Sequence, residues 1–157
     1  MKRFAIRAMG GMLFFLAIIV PAQAGDAPND REALSGLKTT RAVFDMRVPD
    51  RERMIFNLEL IKETLEGMAA QQVKPKMIVT FRGPGVRLLT REQAADEVAP
   101  LIKELKRMGV HFEVCTVATR IFKVDKATII PDVVLVGNSL ISLIDYQNQG
   151  YALVILI

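Results

Sequence analysis

Gly109-Val110-His111-Phe112-Glu113-Val114-Cys115 is the stretch from which the rest of the chain is best read. Apolar and polar side chains alternate from Val110 onward with the period of a strand. Gly109 closes the element before it, and residues 116–120 lead the chain away. Cys115 is the only cysteine of the 157 residues. A thiol at the carboxyl end of a strand in an α/β protein lies where such folds gather ligands, whereas a thiol in mid-strand would be packing.

Working outward, strand and helix patterns alternate. Residues 39–48 are β-rich around Ala42, Val43 and Phe44. Asp50 is placed to cap a helix whose apolar residues Met54, Leu58, Ile61, Leu65 and Met68 step by four and three. Residues 76–81 predict a second strand, stopped by Gly83-Pro84-Gly85. Thr90 with Gln93 three residues on forms a capping box for a helix running to about Met108, with Pro100 either kinking it or starting its second half. Beyond Cys115, Pro131 and Asp132 lead into a strand over 133–136, and Gly137 turns the chain. Residues 139–149 are helical with Leu140, Leu143, Ile144 and Gln147 on one side, Gly150 caps that helix, and 151–157 are a fifth strand.

Several of these strands are continuously apolar, as strands covered on both faces are, and strands alternating with helices give a largely parallel sheet with right-handed crossovers. The expected fold is α/β, a three-layer α/β/α sandwich with a mostly parallel sheet of about five strands. Strand order is not readable from the sequence. The carboxyl ends of parallel strands share one edge, which collects Asp45, Met46 and Arg47, the loop 82–87, Cys115 with residues 116–120, and Gly137-Asn138. His111 starts the strand that Cys115 ends, roughly 13 Å away at strand rise. That is too far to form a Cys-His dyad or a shared zinc site, so no metal centre is expected and His111 reads as a strand-entry residue.

The first 24 residues read as a signal peptide. Lys2, Arg3 and Arg7 form a basic start, residues 11–20 are apolar, and Pro21-Ala22-Gln23-Ala24 offers an A-x-A cleavage site. The apolar run is short of the ~20 residues of a membrane span, so the expected product is periplasmic or secreted, begins at Gly25 and has no membrane span. Residues 25–36 read as a flexible leader and 37–157 as a single domain. The full chain carries 21 Lys+Arg against 17 Asp+Glu. Three of those basic residues and none of the acids lie in the signal segment, leaving 18 against 17. Nucleic-acid binding, which needs a basic face and aromatic stacking groups, is not expected.

Three segments together resemble the DsrE/DsrF-like (YchN-like) family: Gly109 to Cys115, the run Phe81-Arg82-Gly83-Pro84-Gly85-Val86-Arg87-Leu88-Leu89, and Leu143-Ile144-Asp145-Tyr146-Gln147-Asn148-Gln149-Gly150-Tyr151-Ala152. The likeness runs from about Arg41 to Ile155. It implies an α/β/α sandwich assembled as a trimer or hexamer. In the sulfur-relay members it also implies a persulfide carried on the cysteine matching Cys115, exchanged with donor and acceptor proteins. After that cysteine many relatives have a short Asn-Thr type sequence, whereas Thr116-Val117-Ala118-Thr119 here is closer to the relay members' Cys-x-x-Ala. Relay members are typically cytoplasmic; this chain reads as exported.

A persulfide carrier needs an accessible thiolate, no second cysteine to resolve it, and positive potential to lower the thiol pKa. Cys115 is the candidate catalytic residue. Arg120, Arg82 and Arg87 are the candidates to stabilise its thiolate or a bound anion, and helical onset at Thr116 would add an N-terminal dipole. Gly83 and Gly85, with Gly137 and Asn138, are expected to form loops at the cleft. Phosphate cradling by Gly83-Pro84-Gly85 is a weaker idea, since Pro84 removes one N–H and the run matches no nucleotide motif. No cofactor is expected. The alternative is a non-catalytic oligomer that binds a small anion or a protein at this edge, with Cys115 structural. Ile121-Phe122 and Ile129-Ile130 lie outside the main helical stripes and are candidates for the subunit interface.

Overall fold

The computed structural model describes residues 29–157. The expected signal peptide (1–24) and the first part of the leader (25–28) lie outside the described residues. The elements are β1 (Thr39–Met46), α1 (Arg51–Ala70), β2 (Lys74–Phe81), α2 (Arg91–Ala94), α3 (Val98–Arg107), β3 (His111–Cys115), α4 (Thr116–Ile121), β4 (Val134–Val136), α5 (Ser139–Asn148) and β5 (Ala152–Leu156), with short 3-10 turns at Pro84–Leu89 and Lys126–Thr128.

Local signals account for most of these boundaries. Asp50 caps α1 by accepting from the Arg53 amide at 2.9 Å, and Thr90 caps α2 by accepting from the Gln93 amide at 3.3 Å. The single helix expected from Thr90 to Met108 is two helices. Pro100 falls in the first turn of α3, where a helix has no use for its missing N–H, so the chain restarts there rather than kinking. After β2, Gly83 takes a φ of 76° that favours glycine. Gly85 packs so closely that a Cβ would stand 2.5 Å from the Val48 carbonyl oxygen. Both glycines therefore serve a close crossing of the β1 exit.

The five strands form one all-parallel sheet in the order β4-β3-β2-β1-β5. From β1 to β4 the chain steps in one direction, and α1 and α3 pack on one face. The return from β4 to β5 runs the other way, so a right-handed crossover must place α5 on the opposite face. The sandwich thus has three layers of unequal weight. On the α1/α3 face Phe44, Met46, Val79, Phe81, Phe112 and Val114 meet Met54, Leu58, Ile61, Ile102 and Leu105 in one large core. On the other face Val43, Ile78 and Leu143, flanked by Tyr146 and Tyr151, make a small one.

One expectation changes here. Ile129 and Ile130 are 5% exposed; Ile130 donates its amide to the Leu89 carbonyl and Ile129 bridges Thr90, so the β3–β4 connection folds them into the large core. They are not available to an interface. The apolar side of α5 is only partly covered: Leu143 is buried, but Leu140 and Ile144 are exposed, as is Ile141. One lone helix cannot cover five strands, and β5 keeps Leu153 and Ile155 exposed as well.

Candidate functional site

A parallel sheet opens a crevice where successive strands send their chains to opposite faces. Here that point lies between β3 and β4. The chain leaves β3 through α4, whose Ala118 joins the large core, and leaves β4 through α5 on the other face. Cys115 ends β3, so the thiol sits in the fork between two helix starts.

The fork surrounds the sulfur with donors. The Ser139 amide, in the first turn of α5, reaches Cys115 Sγ at 3.4 Å. Ser139 is 0% exposed, and its Oγ has no hydrogen-bond partner among the described residues, leaving its proton free to turn to the sulfur. Burial of Cys115 opposes the thiolate. The Ser139 hydroxyl and amide and the amides of Ala118 and Val117 outweigh it, and the thiol pKa is lowered from its usual value. Asn138 holds the α5 start in place by accepting from the Leu140 amide at 3.0 Å, and Thr116 Oγ1 donates to the Gly137 carbonyl at 2.8 Å, tying α4 to the β4 exit.

The cations predicted for this edge separate into two groups. Arg82 is brought to it: it grips Asp45 with two hydrogen bonds, Nε to Oδ1 at 2.6 Å and Nη2 to Oδ2 at 2.7 Å. Arg47 Nε stands 3.4 Å from the same carboxylate. Its Asp45 bonds raise the Arg82 pKa despite partial desolvation, and the charge of Cys115 adds to the effect. Arg87 instead lies over the Phe122 ring at 5.1 Å and donates to the Phe122 carbonyl, which holds the α4 end. Arg120 is exposed on α4 beside a shallow groove shared with Thr116, Val117, Thr119, Val124 and Lys126. Gly83 and Gly85 are accounted for by the β1 crossing, and a side chain at Gly137 would meet open space.

Sequence reasoning missed the polar lining under α5. Register aligns Asp45, Thr80 and Glu113 in one row across β1, β2 and β3, all buried. Tyr146 of α5 donates to Glu113 Oε1 at 2.5 Å, and His111 Nε2 is 3.3 Å from the same oxygen. Desolvation, then the bond to Glu113, raises the Tyr146 pKa. Thr80 Oγ1 and Glu113 Oε2 are buried without hydrogen-bond partners among the described residues. A signal was available: Asp45-x-Arg47, Thr80-x-Arg82 and Glu113-x-Cys115 repeat the same spacing at three successive strand ends.

Comparison with known proteins gives the same answer at the level of fold and family. A protein of unknown function from Methanobacterium thermoautotrophicum has a solved structure that superposes with a TM-score of 0.63 at 22% identity, covering 74% of this chain and 98% of that one. An uncharacterized protein of Aquifex aeolicus is 26% identical over 151 residues, 90% of this chain but 62% of its own length. Among the described residues no helix is long and apolar enough to cross a membrane. The DsrE/DsrF-like family profile matches residues 23–156, nearly the whole described sheet and every strand end that builds the thiol fork, and the chain belongs to that family.

Proposed function

We propose that the protein is a sulfur carrier that holds a persulfide on Cys115. The observation that carries this reading is the Ser139 amide donating to the one sulfur at 3.4 Å in the fork between two helix starts, where the Ser139 hydroxyl and the Val117 and Ala118 amides add to it in favouring the thiolate. The Cys115 thiolate attacks the outer sulfur of a donor persulfide, a new S–S bond forms, and the donor leaves as its own thiolate. Sulfane sulfur moves without net oxidation. With one cysteine in the chain, no internal thiol can displace it, and the sulfur waits for an acceptor.

The test is intact-mass spectrometry after incubation with a persulfide donor or thiosulfate. A single +32 Da adduct, absent in Cys115→Ser, is expected. A native protein that takes up no sulfur while its denatured form does would overturn the reading. One observation favours the rival: Cys115 is only 4% exposed, as a packed small hydrophobe would be. On that reading the edge binds a small anion or a protein without chemistry, and alkylation is slow until unfolding.

Export and assembly belong to the same proposal. Cleavage after Ala24 predicts an envelope-fraction mass beginning at Gly25. The exposed apolar side chains of α5 and β5, Leu140, Ile141, Ile144, Leu153 and Ile155, support a homo-oligomer, trimer or hexamer, formed through this face. Ile121, 62% exposed, lies on α4 away from β5. Light scattering should give an oligomer that Ile141→Glu dissociates; a wild-type monomer at micromolar concentration would count against it.

A further inference from the structure

The sheet edge carries two rows on the α5 face. Asp45, Thr80 and Glu113 form the inner row. Two residues further along each strand stand Arg47, Arg82 and Cys115. The register that pairs Phe81 with Val114 continues to bring Arg82 beside Cys115, and side-chain alternation places both on the same face. Asp45 is 2% exposed, and it spends both carboxylate oxygens on Arg82. The guanidinium is held by Nε and Nη2, and Nη1 is left over. Two arginines face the one Asp45 carboxylate, and the other carboxylate of the inner row, Glu113, is engaged by Tyr146 and His111 rather than by Arg82.

We propose that Asp45 is a positioning residue for the Cys115 anion: its two-point grip fixes the Arg82 guanidinium at the β2–β3 edge, so that a cation faces the thiolate and, on the carrier reading above, the outer sulfur of its persulfide. A guanidinium is suited to this because its planar fork can be held on one side and still offer N–H groups on the other. A persulfide places its negative charge one S–S bond beyond Sγ, outside the ring of amides, and the edge arginine is the group positioned to meet it. The inference rests on the carrier reading only for that last step. The arrangement of Asp45, Arg82 and the thiol stands without it.

Removing Asp45 has opposite effects under the two accounts. If Asp45 were merely a nearby negative charge, its loss would leave the thiolate better stabilised. If it positions Arg82, its loss frees the guanidinium to swing into solvent and the thiolate loses its cation. Other charged or titratable groups on the surrounding elements are Arg47 just past β1, His111 and Glu113 on β3, Arg120 on α4, Asp145 and Tyr146 on α5, and Arg87 on the turn after β2. All are unchanged in the variants below.

The experiment is a pH titration of thiolate ultraviolet absorbance in the intact purified protein, with Cys115→Ser as the blank, so that reagent access plays no part. Arg82→Gln should raise the thiol midpoint by about one pH unit, roughly a tenfold loss of thiolate at neutral pH. Asp45→Asn should raise it by a similar amount, and the double variant should go no further than either. Arg82→Lys, which keeps the charge and loses the fork, should fall between wild type and Arg82→Gln. A lowered midpoint in Asp45→Asn, or a full additional rise when it is added to Arg82→Gln, overturns the proposal. If Asp45→Asn does not fold, by circular dichroism, the arginine pair decides: an unchanged midpoint in Arg82→Gln also overturns it. Sulfur loading is read separately by mass, so failure of the carrier reading leaves this result interpretable.

Discussion

On the face covered by α1 and α3 the strands present Phe44, Met46, Val79, Phe81, Phe112 and Val114. On the face under α5 the same strands and their exits, one residue out of step, present Asp45, Thr80, Arg82 and Glu113 beside Val43 and Ile78. Cys115 at the end of β3 joins the edge of the large core and accepts from the Ser139 amide of α5. A parallel sheet ordinarily buries two apolar faces, so the polar rows displace apolar contacts that α5 would otherwise make. Leu143 is the one buried α5 side chain in the small core, with Tyr146 packed against it. Cohesion is concentrated on one face and the buried polar groups on the other, and a change on either face should be felt mainly in its own property.

The largest effect should come from the heavy face. Leu58→Ala, at a fully buried position of α1, is expected to cost about 2–5 kcal/mol in urea unfolding while leaving the thiol midpoint where it is. A shifted midpoint would break the separation. Gly85→Ala should follow at about 1–3 kcal/mol, because a Cβ would stand 2.5 Å from backbone at Val48, again with no change at the thiol. Under α5, Tyr146→Phe removes the donor to buried Glu113 and should cost about 1–3 kcal/mol. A neutral result would mean that Glu113 finds another donor.

The smallest effect is in the pH dependence. A thiol whose folded pKa is depressed contributes stability above its ordinary value of about 8.5, and that contribution is lost as pH falls through the lower folded value. Unfolding free energy should therefore rise across this interval, and Cys115→Ser should flatten the rise. Tyr146 acts in the opposite sense. Its raised pKa makes its contribution complete below about pH 10 and lost as pH climbs beyond that. Tyr146→Phe should remove the alkaline decline without touching the rise attributed to Cys115.

Much of the fold was legible because strand and helix periods are local properties: the 54-58-61-65 stripe, the Asp50 and Thr90 caps and the alternation into Cys115 each state their element. Strand order is a property of pairings between distant segments, and the crevice between β3 and β4 follows from that order. Ser139 could not be picked out from sequence, since nothing near it in the chain refers to Cys115. Asp45 was visible at a strand end beside arginines, but its bidentate partner depends on the β1–β2 register. The partner of the α5 stripe was not legible, because an apolar helical period does not say whether the chain's own sheet covers that side.

β5 pairs with β1, matching Ala42 with Ala152 and Met46 with Leu156, so the last strand closes a loop over almost the entire described chain. Contacts of that separation carry the largest closure entropy. α5 leads directly into β5, and α5 carries Ser139, so the Ser139 donor reaches Cys115 only where the β4–α5–β5 crossover is docked on the β1–β2–β3 unit. On the carrier reading proposed above, the thiolate-favouring surroundings of Cys115 are a product of the completed fold.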